Sequence, residues 1–286
     1  MILFFLAMIT LIVFLCFFSN SNQLIMMPLT TPEQFLINMP HIKMSLFSHD
    51  LIFIQPSSSI FVYTLGLLMI VIGVFFVASR GIHKSRSYWG IGLILWGISA
   101  IVAGTSYQAF GYELKCAERE YCLFTSNFEL VYMLLTAFSI NFLVAATAFT
   151  SLGALGRKKL ILFAVVDAVL YFIYLFIGAM TPIKFLISYE GFMAFIGVNF
   201  VFMFILNIRH YKKYKDPLNK GLITIWIGFL VVNIGYFVFL FGQFGQKLYS
   251  STGIWFNEND ALHVLLIIWA IIILWILRKK LVDTNS

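Results

Sequence analysis

The sequence predicts an all-α, polytopic membrane helix bundle of seven transmembrane helices, preceded by an N-terminal apolar segment. Three observations carry that reading. Of 286 residues, 61% are hydrophobic and 11% charged, with a mean hydropathy of +0.95, which is more apolar surface than a soluble domain of this length can bury. A helix needs roughly 20 apolar residues to cross about 30 Å of hydrocarbon, and seven such runs follow one another between short polar loops. The basic residues fall in alternate loops, as repeated crossing requires. The runs are too long and too continuously apolar for barrel strands, and an open sheet would leave backbone groups unpaired in lipid.

In chain order, residues 1–18, MILFFLAMITLIVFLCFF, form an eighth apolar segment with no Lys or Arg ahead of it, so signal peptide and anchor helix both stay open. Cys16 follows Leu15, too large a residue for the usual lipoprotein pattern. Residues 19–59 hold Pro28, Pro32, Pro40 and Pro56 and read as an outer-side cap or linker. The bundle is expected over residues 60–278, with spans at about 60–79, 88–110, 127–151, 160–180, 188–208, 221–243 and 261–277, and residues 279–286 form a tail. Glycines in GIGLILWG (90–97) suit close helix packing, and the 6 Trp and 13 Tyr suit interface belts.

The net charge of +7 is explained by orientation rather than by nucleic acid. Arg80, Lys84 and Arg86 follow the first span; Arg157, Lys158 and Lys159 the third; Arg209, Lys212, Lys213, Lys215 and Lys220 surround the loop after the fifth; Arg278, Lys279 and Lys280 close the seventh. Most of the 19 Lys and Arg thus share one side, which the positive-inside rule assigns to the cytoplasm, where anionic membrane lipids are their partners. The C-terminus is then cytoplasmic and residues 19–59 lie outside. On that outer side Cys116 and Cys122 in KCAEREYC are expected to form a disulfide, with no histidine nearby to complete a structural zinc site.

Polar groups inside a membrane are costly and so are candidates for function. Ser106, Tyr107 and Gln108 end the second span, Asn127 and Glu129 open the third, Glu190 opens the fifth, Gln243 closes the sixth, and Asp260 and His263 open the seventh. Asp260 and His263 are three apart and share a helix face, a pairing that suits a general base or a metal ligand. The alternative is that NEND caps the helix while His263 bonds Glu129 or Glu190. Asp167, about 10 Å into the fourth span, reads as packing glue or a protonated carboxyl, with Asn199, Asn207 and Asn233 as partners. An ion or proton site is the other reading, without a second buried acid or base beside it.

Seven spans with an outside start, GTSYQAFGY at residues 104–112 and DALHVLLI at the seventh span together resemble the superfamily of seven-helix metal-dependent hydrolases that includes alkaline ceramidases and adiponectin-receptor-like proteins. The resemblance implies zinc, held and assisted by a serine and histidine of the second helix, an acid of the third and an HxxxH pair of the seventh, activating water on a lipid amide or ester. Here Gln108 stands where that histidine is expected, Glu129 takes the place of the third-helix acid, and Ile267 replaces one member of the pair that His263 matches. The set needs His263, Asp260 and Glu129 together, or His41 or His49 from the cap. A member that has lost its metal is the other form.

Function is therefore expected to centre on an outer-leaflet polar pocket binding or hydrolysing a lipid or amphiphile. His263, Asp260 and Glu129 are the candidate catalytic residues, His263 the candidate zinc ligand, and Ser106, Tyr107, Gln108, Glu190 and Gln243 the candidate ligand-binding residues. A non-enzymatic sensor, chaperone or assembly module is the alternative. Retinal binding fails for want of a lysine in the middle of the seventh span.

Overall fold

The computed structural model describes residues 30–37, 39–46, 49–181 and 183–284. The apolar segment 1–18, with Cys16 and the choice between signal peptide and anchor, lies outside the described residues.

Among the described residues, seven helices are long and apolar enough to cross a membrane, so the chain is a multi-pass membrane protein with an all-α bundle. In order, the elements are α1 (Pro32–Ile37), β1 (His41–Leu46), β2 (His49–Ile54), α2 (Pro56–Ala78), α3 (Lys84–Gly104) extended by a π-turn (Thr105–Ala109), α4 (Gly111–Lys115), α5 (Asn127–Ser151), α6 (Ala154–Met180), α7 (Tyr189–Tyr214), α8 (Pro217–Gly242), α9 (Phe244–Thr252) and α10 (Glu258–Leu277). The spans are α2, α3 with its π-turn, α5, α6, α7, α8 and α10. Several start earlier than the apolar runs suggest, because polar and basic first turns extend those helices beyond the hydrocarbon-length core. α6, for example, opens on ALGRKK.

The cap holds a hairpin that was not anticipated. β1 and β2 pair antiparallel with His41 opposite Ile54, between Pro40 and Pro56, and the Gln55 N–H closes it on Pro40 O at 2.8 Å. It is tied down by Ile52 N–H donating to Glu113 Oε1 at 2.7 Å and by an edge contact of Phe53 on Phe110 at 5.8 Å. Cys116 and Cys122 are disulfide-bonded, and the Cys122 N–H reaches Thr30 O at 3.0 Å. The hairpin, α4 and the disulfide loop thus form one end of the molecule, the cap end.

At the centre stands α5. Every residue from Glu129 to Ser151 is buried, whereas α6 and α8 leave long rows such as Val165, Val169 and Ile173 exposed, as lipid-facing helices do. α2 and α3 cross where glycines meet. A Cβ on Gly97 would lie 2.5 Å from Gly66 O, and one on Gly90 would lie 2.6 Å from Gly73 O, so at these points only glycine permits backbone contact.

The four basic segments converge on the other end. Asp283 accepts from the first amides of α3, Lys84 N–H and Ser85 N–H, both at 2.9 Å, a capping role filled from the far end of the chain. Arg86 donates to Leu281 O and Arg278 O, and Thr284 bonds Phe149 O and Thr150 O. Asn219 at the start of α8 accepts from Ser151 Oγ at 3.0 Å and from Asn207 Nδ2 at 2.9 Å.

Two outcomes are expected from thermal melts of purified protein. Gly97→Leu should lose about 1–3 kcal/mol through overpacking, and Asp283→Ala about 1 kcal/mol through the lost cap.

Candidate functional site

A cavity of about 350 Å³ lies among α2, α3, α5, α7, α8 and α10 and ends toward the cap, a volume within the usual range for small-molecule sites. Its floor is aromatic. Trp96, Phe200 and Phe229 line it, with Phe200 and Phe229 stacked at 4.5 Å and Trp96 set edge-on to Phe229 at 5.8 Å. Trp269 supports them from behind, 5.3 Å from Trp96, its indole N–H fixed on Ile225 O at 2.8 Å.

The upper wall is polar. The π-turn brings this about: Phe110 N–H bonds Thr105 O at 2.8 Å, five residues back, and the extra residue in the turn changes which side chains face inward. Tyr107 and Gln108 join the cavity wall, while Ser106 turns away to Ser126 Oγ at 2.6 Å and Glu129 Oε1 at 3.0 Å. Tyr132, Tyr189 and Tyr236 also face the cavity, so these tyrosines and Tyr107 serve as wall rather than as interface belt. Gln108 is 4% exposed and His263 8%, and both lie on the cavity wall. Gln108 Oε1 and His263 Nδ1 have no hydrogen-bond partner among the described residues. Buried polar atoms are nearly always paired, so two orphans on one cavity wall set this cavity apart from packing defects elsewhere in the bundle.

The other sequence-derived candidates are placed differently. Asp260 was expected beside the His263 ring, but it turns back on its own helix start. Its Oδ2 accepts from Asn257 N–H at 2.8 Å while Asn257 Oδ1 accepts from the Asn259 and Asp260 amides, a complete capping box. Glu129 lies in the first turn of α5, where it accepts from Thr125 Oγ1 at 2.9 Å and from Ser106. It also pairs with Lys115 at 2.9 Å in an ion pair whose side chains are 6% and 2% exposed. The Lys115 ammonium also sits 5.2 Å from the Tyr107 ring centre. Glu129 is thereby a saturated anion that holds α4, the π-turn and α5 together. Glu190 is exposed, on the cavity rim. Gln243 is exposed at the left-handed residue linking α8 to α9 (φ 50) and takes no part in the wall.

The zinc that the resemblance implies meets no fitting set. No group of three or more His, Cys, Asp and Glu side chains that could hold a metal ion occurs among the described residues; Glu129 is paired with Lys115, and Asp260 holds the Asn257 N–H through Oδ2. Lys115 was missed because nothing in KCAEREYC marks it for burial. Tyr132 carried a usable signal, lying three residues after Glu129 on the same face.

Replacing one partner of the buried pair should strand the other charge. Lys115→Met or Glu129→Gln alone is expected to cost about 3–5 kcal/mol, and the double variant less than the sum, read from melting curves of all four proteins. Comparison with known protein families, with curated proteins and with solved structures finds no match to this chain.

Proposed function

We propose that this multi-pass membrane protein binds a neutral amphiphile in the cavity beneath the cap, with its polar group at Gln108 and His263 and its apolar body over Trp96, Phe200 and Phe229. The orphaned pair of polar atoms on an otherwise aromatic wall is the observation that carries the reading. Gln108 Oε1 is an acceptor and calls for a donor such as a hydroxyl, while His263 Nδ1 serves as donor or acceptor according to its tautomer. Lys115 stands behind Tyr107 with its charge already paired to Glu129, and Glu190 lies at the rim, so an anionic headgroup finds no complement. The loops rich in Lys and Arg support an orientation with the cap outside, which opens the cavity to the outer leaflet.

In this reading the protein acts as a binding module of the sensor or carrier kind. The hydrolase chemistry that the resemblance implies would need donors beyond those the cavity wall offers.

The test is a titration of wild-type protein in nanodiscs with a brominated long-chain alcohol, read as quenching of tryptophan fluorescence with Trp96 as the reporter in the cavity. Saturable quenching is expected. Gln108→Leu and His263→Leu should each weaken it about tenfold, worth about 1.4 kcal/mol, and Ala103→Trp should abolish the saturable phase. Quenching that rises without saturation and is identical in all variants would mean bulk partitioning and would end the proposal.

A further inference from the structure

We infer that the basic end of the bundle carries a binding site for a phosphate group, with the Lys279 and Lys280 ammoniums and the His210 ring N–H as its donors, independent of the amphiphile cavity. A cavity of about 730 Å³ lies there, between the ends of α5 and α7, the start of α8 and the chain beyond α10, and all three residues line it. The segment that carries the two lysines is fixed on both sides. Lys280 N–H and Leu281 N–H bond Leu277 O, and Thr284 bonds Phe149 O and Thr150 O.

The His210 proton is placed by a chain of hydrogen bonds that has one direction. An indole N–H only donates, and Trp226 Nε1 donates to Asn207 Oδ1 at 2.8 Å, which fixes the Asn207 amide. Asn207, expected from the sequence beside Asp167, therefore donates through Nδ2 to Asn219 Oδ1 at 2.9 Å. Asn219 must then present Nδ2 to Asp216 Oδ2 at 2.7 Å and to His210 Nδ1 at 2.9 Å. His210 Nδ1 is thus an acceptor, so the ring is neutral and its proton sits on Nε2. That N–H has no partner among the described residues, and the ring borders the cavity.

The two carboxylates at this wall are already satisfied. Asp216 accepts from Leu218 N–H through Oδ1 and from Asn219 through Oδ2, and Asp283 gives one oxygen each to Lys84 N–H and Ser85 N–H. Each sits at a helix N-terminus, which offsets its charge. The lysines differ: among the described residues the Lys279 and Lys280 ammoniums take part in no ion pair, hydrogen bond or ring contact, whereas Lys213 and Lys215 lie over Tyr214 and Tyr211. α6 also begins at this wall, and its N-cap Gly153 offers no side-chain acceptor. The groups left open are therefore donors, two of them charged. A phosphate group supplies both the negative charge and acceptors on several sides. It can come from the headgroup of an anionic lipid or from a soluble phosphate.

Full-length protein in detergent would be titrated, at constant ionic strength, with ³²P-labelled inorganic phosphate and in parallel with ³²P-labelled dioctanoyl phosphatidic acid. Saturable binding of at least one probe is expected, at about one phosphate group per chain. Affinity should fall at least about tenfold in the double variant Lys279→Gln, Lys280→Gln and about fivefold in His210→Phe. It should stay at the wild-type value in Lys158→Gln, Lys159→Gln, which removes the same charge from exposed positions outside the cavity wall. Binding of phosphatidic acid alone assigns the site to a lipid headgroup, and binding of inorganic phosphate assigns it to the free group; either sustains the inference. No saturable binding of either probe overturns it, as does wild-type affinity in the Lys279, Lys280 variant or in a folded His210→Phe. An equal loss in both lysine pairs also overturns it, since a diffuse basic surface would respond in that way. Should His210→Phe fail to fold, the two lysine pairs decide.

Discussion

A helix enclosed by protein on every side cannot leave any polar group to water or to headgroups, and α5 is such a helix from Glu129 to Ser151. Thr147 and Thr150 turn their hydroxyls back on α5 itself, and other polar residues along it set a register with a neighbour. Glu129 takes Lys115 and Ser106. Thr136 shares a hydroxyl contact with Ser99 of α3, and Ser139 donates to Gly92 O at 2.7 Å. Asn141 meets Asp167 of α6, and Ser151 meets Asn219 of α8. In hydrocarbon, apolar contact alone does not choose between helix orientations, because lipid tails are as apolar as the side chains they replace. Hydrogen bonds and glycine contacts make that choice, and α5 is the element that most of them share.

The candidate site follows from the same constraint. Where α5 and its neighbours satisfy one another fully, as at Glu129 and along the α3 contact, the result is structural. Where they do not, polar atoms are left over: Gln108 and His263 at one cavity, Asn141 and Asn199 at the Asp167 cluster. Other buried polar atoms without a partner among the described residues, such as Trp89 Nε1 and the Tyr171 hydroxyl, lie away from that cavity, so it is the convergence of Gln108 and His263 on one cavity wall that singles the place out.

The spans are legible in the sequence, and so are His263, Gln108, Tyr107 and Glu190, all of which border the cavity beneath the cap. The sequence also groups with them Asp260, Glu129, Ser106 and Gln243, which the cavity wall does not include. The reason is depth. Hydropathy places a residue along the membrane normal but gives no rotation about the helix axis. A π-turn rotates Ser106 away from its neighbours without any signature in TSYQA, and the capping box of NEND takes Asp260 out of reach of the ring three residues on. The cap hairpin escaped notice because its prolines read as linker, whereas Pro40 and Pro56 in fact frame two strands that pair with each other.

What the sequence by itself determined is that the chain crosses a membrane through seven helices and that its basic loops alternate, because the length and polarity of each run are matched against a fixed hydrocarbon thickness. Tertiary structure alone decided which polar residues meet. Asp283 caps a helix that begins about 200 residues earlier, Lys115 is buried against Glu129, and Asp167 joins two asparagines from other helices. Such pairings depend on helix rotation, on local turns and on contacts across large sequence separations, none of which local composition encodes.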